Sequence, residues 1–243
     1  MTRALPPEDL ECPDPEQCPV AVDVLSEVAE AGRLPVVEAP GERTWYRVYD
    51  ARDGYATPNP GYGNTRFAPF DDTSGARVPT LYLAESLAAA LLETSLHDLV
   101  ASARRYVAEA ALHGKHHARL IAPEPLRLAD LRDPALASLD LSRSNVASST
   151  EEHYACTRRV ARSVHASPQH VAGILWHSRQ AELNQQPAAE VAVIFGDRVA
   201  MDRDAWGLAY HRGASGALLE GAGRLLLDQL AEELDFTILL ADM

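Results

Sequence analysis

The run from Pro79 to Glu93 constrains this chain most. Thr80-Leu81-Tyr82-Leu83-Ala84 reads as a strand, Ser86 is placed to cap a helix, and a helical pattern follows from Leu87 to about Tyr106. On that helix Ala89, Leu96 and Val100 recur at the offsets of one inward face, and Glu93 stands in the same line. A carboxylate aimed at the interior must meet a cation, accept hydrogen bonds or line a cleft, because burying it alone is costly. Periodicity by itself leaves two plainer readings open. One is a Glu at the edge of the stripe that reaches water, the other a structural ion pair.

Upstream, Trp45-Tyr46-Arg47-Val48-Tyr49 reads as the first strand. Between Asp50 and Pro79 the chain carries Gly54, Pro58, Pro60, Gly61, Gly63, Pro69 and Gly75 and almost no periodicity. Loops of that length inside a domain are uncommon and usually functional. Arg47 lies in the strand and Arg66 in the loop. A guanidinium in such places suits bidentate recognition of phosphate or carboxylate, and each arginine taken singly reads equally well as an exposed ion pair. Together with Glu93 they suggest an anionic ligand held beside a carboxylate.

The first forty residues read as an appendage: five prolines between Pro6 and Pro19 break it, and a short helix from about Ala21 ends at Gly32 and Pro35. Downstream, Ser149 and Glu152 suggest a capping box for a helix reaching Val164. Val171–Trp176 and Val191–Phe195 read as strands, Leu225–Leu234 as a helix and Phe236–Leu240 as a closing strand. Strands and helices mix without regular βαβ alternation, so the expected class is α+β, with mixed sheets and flanking helices. A doubly wound fold is the alternative.

With 47% hydrophobic and 23% charged residues, the composition is that of a globular protein able to form its own core. A net charge of −13 argues against direct nucleic-acid binding, which needs a basic face. No run approaches the ~18 apolar residues of a membrane helix, so the expectation is a cytoplasmic protein with no membrane partner. Cys12, Cys18 and Cys156 lack the paired spacings of a zinc ribbon, and a bridge or metal at Cys12 and Cys18 is the minor reading. His113, His116 and His117 fall on an expected loop and read as solvated rather than metal-binding. No GxxxxGK phosphate loop is present, which removes support for a kinase or ATPase.

The segments Asn59-Pro60-Gly61-Tyr62-Gly63-Asn64-Thr65-Arg66-Phe67, Thr80–Ser86 and Ala90-Leu91-Leu92-Glu93 resemble the RES domain, the toxin component of bacterial Xre–RES toxin–antitoxin systems. The resemblance runs from roughly Trp45 to Phe195, fits poorly from Ala103 to Ala147, and makes residues 41–243 a RES-like NAD-binding domain. It implies an ADP-ribosyltransferase-like fold and an enzyme that consumes NAD as substrate, without a further cofactor or metal, by hydrolysis or phosphorolysis of the nicotinamide–ribose bond. Carried onto this sequence, it marks Glu93, Arg47 and Ser178 as catalytic and Arg66 and Tyr82 as substrate-binding. Tyr82 would pack on the nicotinamide ring, and Ser178 would position the ribose or phosphate. It further implies an Xre-type antitoxin as partner, with inorganic phosphate and a homo-oligomer left open. The other readings are transfer of ADP-ribose to a protein, and a non-catalytic module that binds a nucleotide or a partner.

Overall fold

Alternating apolar side chains sort the strands onto two faces of one large sheet. The computed structural model describes residues 10–97, 99, 105–209 and 213–240. The N-terminal half contains α1 (Val22–Glu30), β1 (Val36–Ala39), β2 (Thr44–Asp50), β3 (Thr80–Ala84), α2 (Leu87–Leu92), β4 (Tyr106–Ala108), α3 (Glu109–Leu112) and β5 (Lys115–Ile121). It is followed by β6 (Leu126–Asp130), α4 (Asp133–Ala137), α5 (Tyr154–Ala166), β7 (Gly173–His177), α6 (Arg179–Leu183) and β8 (Glu190–Phe195). The chain closes with β9 (Gly207–Leu208), β10 (Ser215–Ala217), α7 (Gly221–Glu233) and β11 (Thr237–Leu239).

Among the described residues nine strands join one sheet in the order β1-β6-β7-β8-β3-β2-β5-β10, with β9 pairing β5 off that path. Only β6–β7 is a parallel pair within it. Period-two alternation puts Leu81 and Leu83 of β3 into one core with Trp45, Leu120 and Ile194, while Tyr82 and Ala84 face the other with Val193, Trp176 and the helices. The architecture is α+β, a mixed sheet flanked by helices, as the sequence suggests.

The centre of the sheet has a gap that matters for function. β2 and β5 pair along seven residues, Thr44 to Asp50, and β3 and β8 along five, but β2 and β3 share the single register pair Tyr46↔Ala84. Beyond that pair the two strands part.

Four expectations need correction. The helix after Ser86 stops at Leu92 instead of running to Tyr106, because Thr94 Oγ1 donates to the Ala90 carbonyl (2.7 Å) and the Leu96 N–H reaches back to Leu91 (2.8 Å), which closes the last turn. Glu93 is therefore the residue that ends the helix. Leu96 stays in the core, and Val100 lies outside the described residues. The segment before residue 40 is built into the core: Leu25, Val28 and Ala29 of α1 are buried in the main cluster, and β1 is an edge strand of the large sheet.

Ser149 and Glu152 form no capping box, since Ser149 is buried against Arg66 and the helix begins at Tyr154 after a 3₁₀ turn over Glu151–His153. His116 and His117 sit in β5 rather than in a loop, and His117 is 1% exposed, its imidazole held neutral by burial. The closing strand exists but leaves the main sheet and pairs with β4 in parallel. No helix among the described residues is long and apolar enough to cross a membrane.

Candidate active site

A cleft of about 450 Å³ opens where β2 and β3 part, with Arg47 and Val48 of β2 on one side and Thr80 and Tyr82 of β3 on the other. Its remaining walls come from the loop before β3, through Asn64, Thr65 and Arg66, from Glu93, Thr94 and His97 at the end of α2, and from Glu151 and Tyr154. Four of the five residues marked from the sequence thus line one cavity. The fifth, Ser178, lies directly behind it.

Ser86 caps α2 by accepting the Ala89 N–H (3.1 Å), and the short helix delivers Glu93, half-buried, to the lining of the cleft. Its orientation comes from elsewhere in the chain. Ser178 Oγ donates to Glu93 Oε1 (2.5 Å) and accepts the Ala181 N–H (3.0 Å) as the cap of α6. A serine only 1% exposed and committed on both sides meets Glu93 rather than the cavity, so it orients the carboxylate and does not itself present a hydroxyl to a bound ribose or phosphate.

Arg66 is 5% exposed, and its guanidinium is fixed on three sides. Nη1 donates to the Ser149 carbonyl (3.1 Å) and hydroxyl (2.9 Å), and the guanidinium carbon sits 5.0 Å from the centre of the Tyr154 ring, a cation–π contact. Burial lowers its pKa, while Tyr154 and Glu93 favour the charged form. Its cavity also holds the carboxylates of Glu93 and Glu151, the latter engaged by Asn64 Nδ2 (3.0 Å).

Tyr82 contributes its ring to the cavity, but its hydroxyl belongs to the loop. It accepts the Phe67 N–H (3.1 Å) and pairs with Thr65 Oγ1 (2.8 Å), so it pins the segment that carries Arg66. Burial pushes the phenol up to about 12, which keeps it neutral. Trp176 packs edge-on against both Tyr82 and Phe67, with centroids 6.0 and 4.8 Å apart, and ties the strand to the loop.

Arg47 is differently employed. Alternation in β2 groups it with Trp45 and Tyr49, on the face opposite Tyr46 and Val48. Nη1 donates to the carbonyls of Gly54 (3.3 Å) and Tyr55, and Nη2 to that of Thr57 (2.7 Å). Burial brings its pKa down to about 10, so it stays protonated at neutral pH. Its first task is to gather the start of the long loop, and it borders the cleft from that position.

Sequence reasoning missed the far wall. Tyr154 stacks on Arg66 and meets His97 Nε2 through its hydroxyl (3.3 Å), Thr157 Oγ1 donates to the Arg66 carbonyl, and Glu151 accepts from Asn64 Nδ2 (3.0 Å). Nothing in the spacing of Ser149 to Thr157 relates it to a loop more than eighty residues earlier. The clustering of Glu151, His153 and Tyr154 ahead of an amphipathic helix was the one available signal.

The cavity therefore combines the Glu93 carboxylate held by Ser178, the Glu151 carboxylate held by Asn64, the buried Arg66 guanidinium with Arg47 beside it, and aromatic walls. Such a cavity can take an anionic ligand beside a carboxylate, with aromatic faces for an apolar part of it. Comparison with curated proteins returns no match. Among solved structures, a chain of the crystal structure of the M. tuberculosis MbcT-MbcA toxin-antitoxin complex is similar, at TM-score 0.56 and 18% identity, covering 87% of this chain and 100% of that one. At that identity the likeness is one of fold. The RES domain family model matches residues 40–210, a span that holds both strands of the cleft, both arginines, Glu93, Ser178 and Tyr154. This chain belongs to the RES domain family.

Proposed function

We propose that the chain is the toxin of a toxin–antitoxin pair and that it cleaves the nicotinamide–ribose bond of NAD in this cleft. The observation that carries the reading is the Glu93 carboxylate, oriented by Ser178 and facing a cavity that also holds the buried Arg66 guanidinium. The bond electrons leave with the nicotinamide nitrogen, which is cationic before cleavage and neutral after it, so no general acid is needed. Positive charge develops on the ribose ring, as in glycoside cleavage, and Glu93 stabilises it there.

Water or inorganic phosphate then bonds to the anomeric carbon and gives ADP-ribose or its 1″-phosphate, with the proton of attacking water released. Arg66, with Arg47 at the rim, holds the pyrophosphate against the repulsion of a protein of charge −13. Tyr82 and Tyr154 supply apolar faces for the nicotinamide. The similar fold comes from a toxin–antitoxin complex, which supports the reading that an antitoxin binds this chain, of the Xre type by family resemblance.

The test is incubation of the purified chain with NAD, with and without phosphate, followed by identification of products. Free nicotinamide with ADP-ribose in both buffers means hydrolysis, and ADP-ribose-1″-phosphate confined to the phosphate buffer means phosphorolysis. Label from NAD on a macromolecule would instead show ADP-ribosyl transfer. Intact NAD under all conditions would leave a binding module.

A further inference from the structure

Outside the cleft, three thiols and an imidazole converge. The ligand atoms of Cys12, Cys18, His153 and Cys156 all lie within 4.8 Å of one another. Cys18 Sγ is 3.6 Å from Cys156 Sγ and 3.6 Å from His153 Nδ1. The sulfurs are far beyond the ~2.05 Å of a disulfide, and all three cysteines are free. A tetrahedral zinc ion with Zn–S of about 2.3 Å and Zn–N of about 2.05 Å sets its sulfurs about 3.8 Å apart and each sulfur about 3.6 Å from the nitrogen. The two Cys18 distances match that shell, and the remaining ligand atoms lie within 4.8 Å, close enough for a small movement to complete it.

The local structure explains how four residues from distant parts of the chain meet. His153 and Cys156 are three apart where a 3₁₀ turn passes into α5, and so project from one side. Cys12 and Cys18 bracket a proline-broken segment that has almost no regular secondary structure of its own and lies across that turn. Cys156 is fully buried and His153 nearly so, while the other two are half-buried.

We infer that Cys12, Cys18, His153 and Cys156 form a structural Cys₃His site for a divalent zinc ion. Three soft sulfur ligands and one imidazole match zinc over magnesium or calcium, and four protein ligands leave no open position for chemistry. The ion would staple residues 12–18 to the start of α5. The residues beside its ligands, Tyr154 and Thr157, are among those that hold Arg66 in the cleft, so the staple would brace the far wall from outside. The inference does not rest on the NAD reading.

The experiment measures the metal rather than the activity. Full-length chain expressed with zinc and purified under reducing conditions should contain one zinc per molecule, and metal-free chain should melt higher when zinc is added back. Cobalt(II) added to metal-free chain should give the intense visible bands of tetrahedral thiolate coordination. Cys12→Ser and Cys18→Ser should each weaken zinc retention more than tenfold, beyond the smallest loss that follows removal of an outer partner. Wild-type chain that holds no zinc, does not shift its melting on zinc addition and gives no cobalt bands would overturn the site. Either variant retaining zinc like wild type, or an intact mass showing a disulfide among these cysteines in the reduced protein, would do the same. The cobalt spectrum needs only the wild-type chain, so a variant that fails to fold leaves the answer intact.

Discussion

The two long walls of the cleft are built in different ways. The near wall, β3 through Ser86 and α2 to Glu93, is one continuous stretch whose strand, cap and short helix place the Glu93 backbone by local structure. The far wall brings Arg66 from a loop to Ser149 and Thr157, partners 83 and 91 residues on, and Tyr154 closes over it. The place of Glu93 in the cleft is thus set locally and its carboxylate is then oriented by Ser178, 85 residues on, whereas the guanidinium of Arg66 depends on distant partners for both its place and its orientation. Substitutions in the far wall should act through geometry and binding, and those in the near wall through chemistry.

Trp176 is where the two walls share support, and its removal should have the largest effect on the fold. Trp176→Ala deletes a fully buried side chain that packs on Tyr82 and Phe67 and should cost about 3–5 kcal/mol in denaturant unfolding. A loss below about 1 kcal/mol would mean that the walls are supported independently.

Arg66→Ala tests the far wall alone. Losing a charge-assisted contact worth about 1.5–3 kcal/mol should weaken NAD binding roughly 10–100-fold, with a much smaller loss for nicotinamide riboside, which lacks the pyrophosphate. Isothermal titration with both ligands checks this, and equal losses would contradict a pyrophosphate role.

Ser178→Ala separates the orientation of Glu93 from its presence. Turnover should fall about tenfold with the KM for NAD little changed, and stability by about 1 kcal/mol from the lost cap of α6. A change in KM alone would place Ser178 at the ligand instead.

The smallest effect concerns the support of the near wall by Glu190, whose carbonyl accepts the Glu85 N–H and whose carboxylate is gripped by Arg43 and Arg132. Burial would raise its pKa, but the two guanidiniums prevail and hold it below the ordinary 4.5. A carboxylate depressed in the folded state stabilises above its unfolded pKa, and that stability is lost as pH falls through the folded value. Glu190→Gln should therefore cost about 1 kcal/mol at neutral pH and flatten the loss of stability below pH ~4.5, as followed by thermal melts across the acid range.

The same division decides what could be read in the sequence. Thr80–Ala84, the Ser86 cap and an inward Glu93 were legible because each is a local pattern of alternation, capping or periodicity. The helix was read too long because Leu96 continues its apolar stripe after the backbone has already turned, and a stripe does not register the Thr94 hydroxyl that takes the Ala90 carbonyl. Ser149 was read as a cap because its role as partner of Arg66 depends on tertiary structure. The proline-broken start looked detached because its tie to the core runs through α1 and three dispersed cysteines, none at a paired spacing. Arg47 and Arg66 looked alike in sequence, and their environments separate a rim residue that gathers a loop from a buried cation that faces the cavity.

Nicotinamide release from NAD by wild-type chain and by Glu93→Gln, side by side at matched concentration and with matched melting curves, tests the central claim most directly. Replacing the carboxylate with a neutral amide of the same shape should reduce release by about 10²–10³-fold while the fold and NAD binding persist. Release at the wild-type rate from the folded variant would remove Glu93 from the chemistry and contradict the account.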